Sequence, residues 1–157
     1  MRFRKYLIAL AWLGCAGCQH DPHSHLYSTA EPKTEDVVGT YVLDEFDLPS
    51  NAGIARPEVV VELRADGTFI ATNIPSSSMD EPGKDFFNSL VSGTGNWEKV
   101  VVGTLDPGNR DMWGVSFRTP DQQFDSAHFT GSNPPHGLIF VLGDPDSGYA
   151  VVLKRKN

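Results

Sequence analysis

The most reactive side chains of the sequence lie together in one short run, Cys15-Ala16-Gly17-Cys18-Gln19. A basic start (Arg2, Arg4, Lys5) and an apolar stretch from Tyr6 to Gly14 precede it. That stretch is about half of the ~20 residues needed to cross a bilayer, so it reads as a removable secretory signal rather than a span. Ala16 and Gly17 suit a peptidase that must admit the bond before Cys18 into a narrow site. Cleavage before Cys15 is the competing choice, with Leu13 and Gly14 in front of it. Neither cysteine has a disulfide partner further along the chain, so an exported form with a free Cys18 would carry an exposed, oxidisable thiol.

Other residues invite chemistry less strongly. His20, His23 and His25 stand close enough to share a Zn²⁺ or Cu²⁺ ion, but no carboxylate or Cys framework fixes a geometry, and a solvated linker accounts for them. Gly143-Asp144-Pro145-Asp146-Ser147-Gly148 offers about three of the six to eight oxygens that Ca²⁺ requires, and it reads as a turn. Asp106, Asp111, Asp121 and Asp125 are scattered acids near turns; a paired-carboxylate hydrolase needs two of them within about 5–10 Å. His128 and His136 are of the type used as general bases, yet no Gly-x-Ser-x-Gly nucleophile setting accompanies them. The Gly-rich spots read as turns, not phosphate loops. No cofactor or metal is expected, and a hydrolase of unknown substrate is only the third reading.

The elements that position these residues are almost all strands. Gln19 to Asp36 is polar, carries two prolines and shows no period, which predicts a flexible tether with a reach of about 20–25 Å. From Val37 the period is two, with β-branched and aromatic enrichment. Val59, Val61 and Leu63 alternate with Glu58, Glu62 and Arg64; Ala65-Asp66-Gly67 turns the chain, and Phe69 and Ala71 return as an inward pair. Phe86, Phe87, Leu90 and Val91 fall at helical spacing, which predicts a short helix over Lys84–Val91. Trp113, Val115 and Phe117 alternate again. The pattern predicts an all-β domain of about eight antiparallel strands, a meander or barrel with one short helix. Such a barrel is either filled by its own side chains or holds one small ligand.

Removing Arg2, Arg4 and Lys5 with the signal leaves ten Lys and Arg against twenty Asp and Glu, a net charge of −10. That argues against nucleic acid and against a polybasic hold on anionic lipid. The expected organisation is residues 1–17 as signal, 18–36 as tether and 37–157 as one β-barrel-like domain, a size that buries an adequate core without disulfides.

Three resemblances bear on this pattern. Cys15-Ala16-Gly17-Cys18 resembles the bacterial lipobox, with Cys15 standing where the family usually has an aliphatic residue. The likeness implies cleavage before Cys18, a thioether from its sulfur to diacylglycerol, and palmitate-like acyl chains that hold the protein to a membrane. About two chains give stable anchoring. Gln19 after the acylated Cys implies an outer-membrane destination facing the periplasm, where the source has an outer membrane. Gly39-Thr40-Tyr41 on the first strand with Lys154-Arg155 on the last resembles lipocalin-like (calycin) barrels, which implies Arg155 laid on the face of Tyr41 at the closed end. Leu63-x-x-Asp66-Gly67-x-Phe69-x-Ala71-x-Asn73-x-Pro75, Gly93-x-Gly95-x-Trp97 and the Gly143–Gly148 turn look like a group of small bacterial lipoproteins with no established activity.

The function expected from these readings is a membrane-anchored, non-enzymatic lipoprotein of the cell envelope. In the leading version Phe69, Trp97, Trp113, Phe117 and Phe140 line a pocket for a small apolar ligand, with Phe86 and Phe87 in a lid above it. In the alternative the barrel is solid, and loops such as Met79–Lys84 or Thr130–His136 bind or inhibit an envelope protein.

Overall fold

The computed structural model describes residues 21–156, apart from 82–83, 121–123, 125 and the side chains of 77–81, 84–86 and 88. Cys18, Cys15 and His20 lie outside the described residues. Eight antiparallel strands close into one barrel: β1 (Gly39–Asp47), β2 (Val60–Leu63), β3 (Thr68–Glu81), β4 (Lys84–Leu105), β5 (Arg110–Arg118), β6 (Ala127–Thr130), β7 (Gly137–Val141) and β8 (Ala150–Arg155). Each strand pairs with the next, and β8 returns to β1 through Tyr41↔Arg155 and Leu43↔Leu153. Closure removes the sheet edges that would otherwise template pairing with other chains.

Alternation explains the inward face. Val61↔Ala71 and Leu63↔Phe69 pair across β2 and β3, and all four are buried. The turn between them has the expected chemistry: Gly67 adopts φ 82, and Asp66 Oδ1 accepts from the Thr68 N–H at 2.9 Å. At the base of the barrel Arg155 reaches past Gly39 and donates to the carbonyls of Asp36 (2.9 Å) and Val38 (2.5 Å). A Cβ on Gly39 would lie 2.7 Å from Arg155 Nε, so only glycine leaves the guanidinium this path. Tyr41, fully buried opposite Arg155, donates its hydroxyl to the Val37 carbonyl; burial raises its pKa, and the Arg155 charge opposes that rise.

The helix expected over Lys84–Val91 is not formed. Those residues are the start of β4, paired with the end of β3 through Ile74↔Val91, Ser76↔Ser89 and Ser77↔Phe87. Asn88 is an extra residue on β4, since Ser76 and Ser77 are adjacent on β3 while their partners are two apart. Such a bulge offsets a two-residue alternation by one position, so apolar residues recur at three and four and imitate a helical stripe. Among the described residues the short α-helix is α1 (Thr34–Val37), which begins in the stretch read as tether, and Val37 at its end is fully buried in the barrel core.

Two glycines on β4 make room for aromatic rings. A Cβ on Gly93 would stand 2.9 Å from the Phe124 ring, and one on Gly95 would stand 2.1 Å from the Arg118 carbonyl and 3.0 Å from Phe69. Because the closest obstacle is backbone, Gly95→Ala is expected to cost about 1–3 kcal/mol as overpacking. Thermal unfolding followed by circular dichroism should show Tm falling by about 4–12 °C; an unchanged Tm contradicts this packing.

Candidate interaction site

Three of the aromatic residues expected to line a pocket, Phe69, Phe117 and Phe140, pack against one another. Phe69 meets Phe117 edge-on with ring centroids 4.8 Å apart, and Phe117 stacks on Phe140 at 5.8 Å. Phe124, which sequence reading did not single out, joins Phe69 at 5.7 Å. These rings belong to one continuous core with inward residues from all eight strands, including Tyr41, Val61, Trp97, Val115, Phe129 and Val151. Trp97 is fixed at the β2–β3 turn by its indole N–H, which donates to the Arg64 carbonyl at 2.9 Å. Phe87 is buried against Tyr149 at 5.7 Å, so β4 reaches the turn between β7 and β8 across the barrel mouth. The Phe86 side chain lies outside the description. Trp113 is half-buried beside the core, with Lys99 Nζ 5.8 Å from its ring centroid.

The stretch expected to be a loose tether is instead ordered against the barrel from Asp21 onward. Leu26 and Tyr27 lie on the outer wall with Ile139 and Val152 on one side and Leu105 and Met112 on the other, a second small core. Ser28 enters the wall itself: its N–H donates to the Phe129 carbonyl (2.8 Å), and its carbonyl accepts from the Trp113 N–H (3.0 Å). It does so where β5 and β6 part, since their direct pairing covers Gly114↔His128 and Val115↔Ala127. Further on, Lys99 donates to the Pro32 carbonyl at 2.6 Å and pairs with Glu31 at 2.8 Å. A half-exposed ion pair of this kind adds little on its own. The backbone bonds and the buried apolar contacts hold this strap.

The strap also brings a titratable ring against a half-buried histidine of the wall. Tyr27 stacks on His128 with centroids 4.3 Å apart and donates its hydroxyl to Asp21. Burial and the Asp21 hydrogen bond push the Tyr27 pKa up, so it stays a neutral donor. His128 Nδ1 is buried with no hydrogen-bond partner. Burial lowers the His128 pKa below its ordinary 6.5, and the Asp21 carboxylate partly opposes this. Gly114 and Ile139 face His128 from the neighbouring strands β5 and β7. The docked form is therefore the neutral imidazole. Its contribution is complete above 6.5 and is lost as pH falls from 6.5 through the lowered docked value, because the undocked imidazole takes the proton first. Amide exchange at Ser28, Trp113 and Gly131, corrected for intrinsic rates, should accelerate between about pH 7.5 and about pH 5, and His128→Phe should remove that acceleration. Unchanged protection of these three amides in the wild type contradicts the pH-sensitive strap.

The remaining candidates are dispersed. His23 Nε2 lies 2.9 Å from the Gly148 carbonyl, His25 Nδ1 lies 3.0 Å from the Pro22 carbonyl, and His136 Nδ1 lies 3.0 Å from the Gly131 carbonyl. Asp144 caps the turn by accepting from the Asp146 N–H at 3.0 Å. Asp106 and Asp111 are exposed, while Asp121 and Asp125 lie outside the described residues. Among the described residues no three His, Cys, Asp or Glu side chains gather as metal ligands, and no helix is long and apolar enough to cross a membrane. An open groove of about 630 Å³ runs beside Leu90, lined by Ile54, Ala55, Arg56, Pro57 and Asn73. No family model, curated protein or solved structure matches the chain. Two features of the described residues bear on a role: the ring-on-ring packing of Phe69, Phe117, Phe124 and Phe140 in the core, and the open groove beside Leu90. Among the described residues Leu90 (40 % exposed) and Val101 (44 %) are the large exposed apolar side chains.

Proposed function

We propose that the protein is a non-enzymatic bacterial lipoprotein, acylated at Cys18, whose solid barrel docks an envelope protein at the groove beside Leu90. The observation that carries the protein-partner reading is the ring packing of Phe69, Phe117, Phe124 and Phe140, which occupies the space a small ligand would need. The groove beside Leu90 supplies an apolar surface with a cation, Arg56, and an acid, Glu58, at its side. Mixed apolar and charged surroundings suit a protein partner, in which an apolar anchor is ringed by polar contacts. A photo-crosslinking residue at Leu90 in intact cells should trap one specific envelope protein. A clean negative there, together with saturable fatty-acid binding by the purified protein, would favour the second reading, in which the same groove takes a small apolar ligand.

The anchor has its own consequence. Cys18→Ser removes the sulfur that forms the thioether, so the variant should stay unprocessed and lose incorporation of labelled palmitate. Continued processing and unchanged label in the variant contradict acylation at this residue.

A further inference from the structure

The strap does more than fill a gap in the wall, because it decides where the chain leaves the barrel. Pro22 lies against the β7–β8 turn, so that a Cβ on Gly148 would come within 3.0 Å of Pro22 Cγ. His23 Nε2 sits 2.9 Å from the Gly148 carbonyl, and the His23 N–H donates to Asp21 Oδ1 at 2.8 Å. The exit point is therefore pinned beside Asp144–Gly148. From Cys18 to Asp21 the backbone takes only three Cα steps, about 11 Å at full extension. A free tether of the length read from the sequence would reach about 20–25 Å. The difference sets whether the barrel tumbles above a membrane or rests on it.

We infer that the strap seats the barrel on the bilayer in one orientation, with the wall around Asp21 and the β7–β8 turn against a zwitterionic lipid surface and the β2–β3 turn pointing away. This rests on acylation of Cys18. The charge of the seat selects the kind of lipid surface. Asp21, Asp106 and Asp146 line one cleft of about 410 Å³ with Ser24, Thr104 and Pro145, and Asp144 caps the same turn. Such a wall is repelled by anionic headgroups and gains nothing from counter-charge on zwitterionic ones. Its contact is made by the short covalent link, which holds it at high effective concentration near the surface. The β2–β3 turn is held by the Trp97 N–H, which donates to the Gly67 carbonyl, eight residues back along β4 from Leu105 in the cleft, so a label at each of the two turns reports orientation.

The test uses the full acylated chain in phosphatidylcholine vesicles containing a small fraction of lipid with a nitroxide headgroup. Ser147→Cys and Ala65→Cys place a fluorophore on an exposed residue of each turn. Quenching should be several-fold stronger at 147 than at 65, and adding Tyr27→Ala, which frees the strap, should bring the two positions together. Equal quenching, or stronger quenching at 65, in a chain that floats with the vesicles overturns the seat and leaves the anchor standing. A chain that does not float and lacks acyl mass overturns the anchor and the seat with it.

Discussion

Phe117→Ala is expected to lower the unfolding free energy by about 3–5 kcal/mol and to open a cavity among the packed rings. Phe117 touches Phe69, Phe124 and Phe140, so its removal strips contacts from three other buried rings at once. Against a typical total of about 5–15 kcal/mol, the loss takes a large share of the stability. An apolar cavity of this kind stays dry and accepts small apolar guests. Denaturant unfolding should show the lowered midpoint, and titration with benzene should raise the Tm of the variant but not of the wild type. If the wild type gains as much from benzene as the variant does, the interior is already hollow, and a small-ligand function regains the lead.

Tyr27→Ala should release the strap without unfolding the barrel. The ring is 7 % exposed, stacks on His128 and bonds to Asp21, so its loss carries a cost in the range of about 3–5 kcal/mol for a buried aromatic. That cost falls on one segment. The barrel ladders do not run through Tyr27, whose sole bridge is to Thr130. Amide protection at Ser28, Trp113 and Gly131 should drop by orders of magnitude, while Val61 and Ala71, in the β2–β3 ladder, keep theirs. Equal loss at all five positions would mean that the strap and the barrel unfold as one unit, contrary to the picture of a detachable segment.

The eight strands were legible because a closed barrel demands inward apolar residues at every second position, and Val59 to Ala71 supplies them around a turn with Asp66 and Gly67. Two features were not. The start of β4 read as a helix because a single extra residue, Asn88, changes the apparent period. The strap read as tether because its sequence is polar and proline-bearing, and its two anchoring side chains, Leu26 and Tyr27, carry no period of their own. A signal for it did exist elsewhere. Leu138-Ile139-Phe140-Val141 is apolar on both faces, and a strand of that kind must be covered on both. Leu138 and Phe140 face the core; Ile139 and Val141 belong to the outer cluster with Tyr27. The candidate site divided in the same way. Phe69, Phe87, Trp97, Phe117 and Phe140 are buried and Trp113 is half-buried, but whether rings fill or line a space depends on distances between strands remote in sequence, and on Phe124, which lies outside any strand.

The central claim, that this barrel belongs to a membrane through an acylated cysteine, is most directly tested by the mass of the N-terminal peptide of the protein extracted from membranes. The account predicts a peptide beginning at Cys18 and carrying diacylglycerol on its sulfur. A peptide that begins at another residue, or at Cys18 with a free thiol, contradicts it.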